Sequence, residues 1–488
     1  MNLKRRIQQG VSRALLLLIT LTTACQPVQP TSGVTKPTLF QKRTQTESGL
    51  VTPVPSPSTI VSNPTATSTS APHLQINPDE LRGIQARFWH PWTGELAMEI
   101  EGLVEEFNQT NIWGINFEVV GMGGSSELYE QVATHLNDGK LPNLVAASMD
   151  QIQSWETKTR TVIGLDGYIL DPQWGLTSQQ IADIPLEFLD QNKLDERIIA
   201  IPAQRTAPVI YYNLSWGQEL GFSSPPTSPG EFKTQACAAT KANLGEGERR
   251  GTGGWIIKTD PMTVISWILV FNPDFLAKLQ AGEYIFNTPE VTQSFTFLRQ
   301  MMDEECAWVS RNSTPYEYFA SRQTLLYSGV MEDILPQTLA MQRLQSRDEW
   351  AIIPYPKTDQ KPMILSSGDS YSILVDSPQK QMAAWLLLRW FLLPKNQVRI
   401  IESSGTLPVS ASAVQLLTKF EQNYPEWKSS LPWIPIIQAA PQLASWRVAR
   451  AVLQDAAWQI FQTNVKPSEI PGFLQILDET IPEVLQHK

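Results

Sequence analysis

From Ile84 onward the apolar positions change period in a regular way. Ile84-Gln85-Ala86-Arg87-Phe88-Trp89 predicts a strand, and Leu96, Ile100, Leu103, Val104 and Phe107 then fall on one helical face. Ile115 to Val120 alternates as a second strand. A second helix aligns Leu128, Val132 and Leu136 and stops at Asn137-Asp138-Gly139, and Leu144-Val145-Ala146-Ala147 follows as a third strand. Strand, helix, strand, helix, strand implies parallel pairing with right-handed crossovers, so this half is expected to be α/β.

The second half reads as more helical. Thr288-Pro289-Glu290 supplies an N-cap and an N1 proline ahead of Val291, Phe295, Leu298 and Met302, and Ser377-Pro378 opens a helix from Gln379 to Leu393 that Pro394 is expected to close. The run Ala383 to Leu393 is too short to cross a membrane and carries Arg389, which predicts a buried core helix.

The two ends of the chain add a different element. Lys4, Arg5 and Arg6 precede the apolar run Ala14 to Ile19 and then Leu21-Thr22-Thr23-Ala24-Cys25, the layout of an export signal. Residues 26 to about 75 are dominated by Thr, Ser and Pro, as in TPVPSPSTIVSNPTATSTSAPH, and cannot bury enough apolar area to offset ordering. They are expected to form a tether. The formal net charge of −10, with Lys and Arg dispersed beyond the first positions, gives no phosphate-binding surface, so nucleic acid is not an expected partner.

Cys237 and Cys306 remain once Cys25 is set aside. Export makes a bridge between them chemically feasible, and two free thiols are the alternative.

The octapeptide Phe88 to Glu95, FWHPWTGE, lies where a strand ends and a helix begins, the place where open α/β sheets hold ligands. His90 there would need a nucleophile or carboxylate partner to act as a catalytic base, and the chain contains no G-x-S-x-G, no H-E-x-x-H, no metal-spaced His or Cys cluster and no phosphate loop with its Lys. No catalytic residue, metal or cofactor is therefore expected, and His90 is read as a ligand-contacting or loop-ordering residue, with a packed structural role the alternative. Trp89 and Trp92 suggest a platform instead, since an indole face covers a sugar ring and its N–H can still donate. Trp255, after Gly253-Gly254, and Trp433, in a segment that looks too proline-rich to be helical, are further stacking candidates.

Several stretches in order resemble extracellular solute-binding protein family 1 of bacterial ABC importers, the branch with maltose- and glycerol-3-phosphate-binding proteins. The stretches are Phe88-Trp89-His90 with Gly94-Glu95-Leu96, LNDGKLPN from Leu136, IPAQRTAPVIYYN from Ile201, Ile353-Pro354-Tyr355-Pro356, Ser367-Gly368 and Ser404-Gly405-Thr406-Leu407-Pro408. Leu21 to Cys25 likewise resembles the lipobox of bacterial lipoproteins, which implies lipidation of Cys25. The resemblance implies a two-lobed periplasmic-binding-protein fold of type II-like form with a ligand cleft between α/β lobes. Its expected divisions are a signal over 1–25, a tether over 26–77, a first lobe from 78–207 with 366–405, and a second from 208–365 with 406–488. The chain would cross near Pro208 to Asn213, near Ser366 and near Gly405 to Pro408.

Against the glycerol-3-phosphate binder, Tyr129, Thr206 and Gly368 keep or approximate ligand contacts, and Arg447 aligns with the phosphate-binding arginine. The family's glutamate falls at Met149 or Asp150, its second tyrosine is Thr406, and its later serine falls near Val330, with Ser328 the nearest hydroxyl. Gln204 and Asp369 flank these positions and complete the expected contact set. A monomeric, membrane-tethered receptor for a sugar, oligosaccharide or polyol, with a phosphorylated polyol second, would follow, delivering its ligand to ABC permease subunits. A cell-surface carbohydrate-active enzyme and a non-transport sensor on the same scaffold are the competing readings.

Overall fold

The computed structural model describes residues 74–245, 253–309, 314–357, 363–462 and 465–486. The export-signal-like segment, Cys25 and the tether as far as residue 73 lie outside the described residues. Among the described residues no helix is long and apolar enough to cross a membrane.

Two mixed sheets organise the chain. In the first, Asn116–Gly121, Gln85–His90, Leu144–Ser148, Asp369–Ile373 and Ile201–Pro202 lie side by side in that order. The first three pair in parallel, and Asp369–Ile373 runs antiparallel to both its neighbours. The helix Gly94–Thr110 covers this sheet with Ile100, Leu103, Val104 and Phe107 buried, the face the 3.6-residue period marked out. Arg87 N–H donates to Asn143 Oδ1 at 2.9 Å, while the Asn143 amide reaches Asp376 at 2.8 Å, so Asn143 pins the entry of the third strand.

The second sheet runs Trp350–Ile353, Pro208–Asn213, Thr324–Val330, Gly253–Ile256, Ala307–Trp308. Pro208–Asn213, expected to cross between lobes, is instead an inner strand of this sheet, buried at every position and antiparallel to both neighbours. A continuous apolar run of this kind belongs inside a sheet covered on both faces. Helices Pro261–Phe271, Pro289–Asp303, Trp446–Ile460 and Ile470–Gln486 close one side in a single apolar cluster. Helix Pro229–Gly245 lies so close to strand Gly253–Ile256 that a Cβ on Gly254 would stand 1.8 Å from the Ala236 carbonyl oxygen. Cys237 and Cys306 are joined by a disulfide across 69 residues, fastening this helix to the edge strand Ala307–Trp308.

Two local expectations are corrected. Helix Pro378–Phe391 ends before Pro394, which opens the next helix, Pro394–Ser404: a proline at N1 starts a helix because its missing N–H is not needed there. Leu431–Ile436 forms a six-residue 3₁₀ helix despite its two prolines, since a short tight turn leaves few N–H groups to satisfy.

The chain passes between the sheets at 203–207, 366–368 and 405–407, and these passages bond to one another. Thr206 N–H donates to Ser367 O at 2.8 Å, Ser367 N–H returns to Thr206 O at 3.1 Å, and Leu407 N–H donates to Arg205 O at 2.7 Å. Backbone bonds across three adjacent connections give a narrow ribbon as the floor between the lobes.

Candidate functional site

Above that ribbon the strand tips of the first lobe face the second lobe across two adjoining cavities. The larger, about 460 Å³, is lined by Trp92, Glu95, Gln204, Asp369 and Thr406, with Glu332 entering from the second lobe. The smaller, about 120 Å³, has Asp150, Arg205 and Gly368 on one side and Pro261, Trp446 and Arg450 on the other. Their floors meet at the consecutive residues Gln204 and Arg205, and again at Gly368 and Asp369. Gly368 has φ +146°, and a Cβ there would lie 2.4 Å from the Gln204 carbonyl, so only glycine lets the second crossing lie against the first.

The FWHPWTGE tip resolves into layers. Strand alternation sends Phe88 and His90 to one face and Trp89 to the other. His90 is fully buried and stacks beneath Trp92, with ring centres 5.3 Å apart and planes 24° apart. Burial pulls its pKa down to about 4, so at neutral pH the imidazole is uncharged and supports the indole from behind. His90 is thus corrected from a ligand contact to a support. Trp89 is corrected too: it packs with Leu128, Tyr129 and Val132 and meets the His135 ring edge-on at 6.0 Å, away from both cavities.

Two other indoles leave the site. Trp255 is fully buried among Phe232 and Trp267, and its N–H donates to Ser328 Oγ at 3.2 Å. Its glycine-rich approach reflects the tight helix contact at Gly254, which imitates a ligand loop in sequence. Trp433 sits on the 3₁₀ turn against the cluster that holds Phe420 and Trp427 and lines neither cavity.

Asp150 is buried at the start of helix Met149–Thr159 and meets Arg450 of the opposite lobe at 3.3 Å. Tyr129 donates to or accepts from Ser154 at 3.0 Å, and the Arg447 guanidinium lies 4.0 Å over its ring. Tyr129 and Arg447 therefore join the lobes by a cation–π contact and line neither cavity, which corrects their expected ligand roles. Arg450, one helical turn beyond Arg447, is the arginine that reaches the cavity; the i, i+3 spacing placed both on neighbouring faces. Thr206 spends its hydroxyl on Glu332, and Thr406 shares its hydroxyl with Ser404 at 2.8 Å.

Arg205 and Glu332 were not singled out by the sequence. The Arg205 guanidinium is buried and donates to Gln191 Oε1 (3.2 Å), Gln204 O (2.8 Å), Asp369 O (2.8 Å), Asn192 Oδ1 (3.3 Å) and Ser370 Oγ (3.0 Å). Glu332 has its pKa raised to about 7, first by burial and then by the charges of Asp333 and Asp369, against the Thr206 hydroxyl. Asp369 is raised to about 6 by burial, with the Trp92 indole and Arg205 pulling the other way.

A raised carboxyl pKa fixes a sign. The folded protein keeps a Glu332 proton that the unfolded chain releases above its ordinary value of 4.5, so this group's contribution is complete at or below that pH and is lost as pH rises through about 7. A shift of this size corresponds to about 3 kcal/mol. His90 works in the opposite sense, since its lowered pKa means stability rises with pH from about 4 to the ordinary 6.5. Glu332→Gln isolates the first effect. The variant is expected to melt higher than wild type at pH 8 and to lose that advantage at pH 4.5, and identical melting differences at the two pH values would refute the assignment.

The comparisons with known proteins agree with this layout. The family model described as "Bacterial extracellular solute-binding protein" matches residues 102–429. No curated protein sequence matches the chain. Among solved structures, the sugar-binding protein MalE from Xanthomonas citri is similar with TM-score 0.66 at 18% identity, covering 83% of this chain and 98% of that one. UgpB from Mycobacterium tuberculosis, in complex with glycerophosphocholine, is similar with TM-score 0.66 at 16% identity, covering 82% and 99%. The maltose/maltodextrin-binding domain MalE from Bdellovibrio bacteriovorus, bound to maltotriose, is similar with TM-score 0.62 at 18% identity, covering 81% and 99%. These likenesses concern the fold, a two-lobed α/β architecture with its cavities between the lobes. The family match spans well over half of the sequence, and the chain belongs to the bacterial extracellular solute-binding proteins.

Proposed function

We propose that the protein is the solute receptor of an ABC importer, capturing a sugar, oligosaccharide or polyol between its lobes and handing it unaltered to membrane permease subunits. The observation that carries this is the interlobe cavity of about 460 Å³, with an aromatic platform at Trp92 and polar groups from both lobes around it. The three bonded passages at 203–207, 366–368 and 405–407 form the hinge about which the lobes, 78–207 with 366–405 and 208–365 with 406–488, close and open. The receptor works as a monomer, held at the outer face of the membrane by lipid on Cys25 and the tether over 26–77. A phosphorylated polyol fits less well, because Arg450 is already paired with Asp150 and Arg205 is already saturated.

Melting the protein against maltose, maltotriose, glycerol-3-phosphate and glycerophosphocholine tests the reading. A ligand at a hundred times its Kd stabilises the folded form by about 2.7 kcal/mol, and a rise in Tm with at least one saccharide or polyol is expected. No response across a broad panel would count against it, and turnover of an oligosaccharide would favour a carbohydrate-active enzyme.

A further inference from the structure

We propose that the larger cavity is a subsite for a protonated amino group carried by the captured sugar or polyol. The proposal rests on the receptor function above and narrows its ligand class.

The cavity is acidic and among the described residues no cation lines it; the Arg205 charge offsets Asp369 only in part. Glu332 and Asp369 face it from opposite lobes, Glu95 stands at its rim, and among the described residues no Lys or Arg side chain lines it. The two inner carboxyls repel each other, and Asp333 adds a further negative charge beside Glu332. The nearby cations are engaged elsewhere. Arg205 gives all its donors to neutral oxygens and reaches Asp369 only at the backbone carbonyl. Lys258 stands 3.6 Å from Asp333. His90, behind the platform, is uncharged at neutral pH and adds no positive field. Partly buried carboxyls without a cation are unfavourable unless a charge arrives from outside.

A second observation is independent of charge. Gln204 lines the cavity with only 8% of its surface exposed, and its Oε1 has no hydrogen-bond partner among the described residues. A buried carbonyl oxygen left without a donor carries an uncompensated desolvation cost, which an N–H would recover once the Gln204 amide turns toward the cavity. An ammonium group offers three donors and no acceptor, the complement of Gln204 Oε1 and two carboxylates. The Trp92 face then supplies a cation–π contact on the remaining side. A neutral hydroxyl could donate to Gln204, yet it would bring no charge to relieve the repulsion between Glu332 and Asp369.

Calorimetric titration of the full-length protein at pH 7.5 with matched pairs tests this: glucosamine against glucose, galactosamine against galactose, and the glucosamine disaccharide against cellobiose. N-acetylglucosamine keeps the nitrogen without its charge and should behave as the neutral member. In at least one pair the aminated member is expected to bind ten-fold or more tightly than its parent. In Glu332→Gln and in Asp369→Asn, each checked by melting to be folded, that ratio should fall toward one. Equal or tighter binding of the neutral member overturns the amine subsite and leaves the receptor function standing, with the carboxylates then accepting sugar hydroxyls. Binding of neutral saccharides without binding of any aminated one overturns the subsite in the same way. Failure of every saccharide and polyol overturns both proposals together.

Discussion

Arg205→Met is expected to lower the unfolding free energy by about 3–5 kcal/mol, because it leaves several buried acceptors without a donor at about 1–3 kcal/mol each, less the desolvation cost of the lost charge. The guanidinium sits in the first passage between the lobes, and its acceptors come from three stretches of chain: Gln191 and Asn192, Gln204, and the pair Asp369 and Ser370 that opens the strand after the second passage. No carboxylate touches it directly, and burial draws its pKa down to about 10, which still leaves it charged at neutral pH. It therefore holds the hinge together through charge-assisted bonds to neutral oxygens, each worth more than an ordinary hydrogen bond. Methionine fills the volume and strands these acceptors. Arg205→Lys, with a point charge and three donors in place of a planar fork, should fall between. Urea denaturation of the three proteins measures the differences, and a loss below about 1 kcal/mol for the methionine variant would mean that the neighbouring oxygens rehydrate without cost.

Much of the fold was legible in the residues alone because local and global signals agreed. The 3.6-residue stripe from Leu96 to Phe107 marks a helix that buries one face, and the segment from Ile84 to Trp89 forms the strand Gln85–His90, whose C-terminal half is buried on both faces. Pro208–Asn213, placed near a crossing by resemblance, lies just past it: its uninterrupted apolar run belongs to a buried strand, and the passage itself is at 203–207. The site was legible at its tips and illegible across its gap. Trp92, Asp150, Gln204, Gly368, Asp369 and Thr406 lie at strand ends or in the ribbon, where backbone pattern fixes position, and all six line the cavities. Arg450 and Glu332 arrive from the other lobe on elements far along the chain, and nothing local in a helix face tells Arg447 from Arg450. Trp255 failed because the same small residues that admit a ligand also admit a close helix, and only the contact with Ala236 distinguishes them.

Trp92→Ala is the second variant for which a large change is expected, and it has two separable parts. The side chain is 9% exposed and packs on His90, Phe88 and Tyr371, so truncation opens a cavity and should cost about 3 kcal/mol of stability. It also removes the ring face that the proposed ligand would lie against, a loss of about 1.5 kcal/mol or roughly ten-fold in affinity. Both effects begin at one residue, so affinity must be measured where the variant is fully folded, well below its lowered Tm. Trp92→Phe divides them further: it restores most of the packing but offers a smaller aromatic face. The phenylalanine protein should therefore recover stability while binding less tightly than wild type. Full affinity in the folded alanine variant would remove the platform from the site and reduce the stacked pair of His90 and Trp92 to core packing.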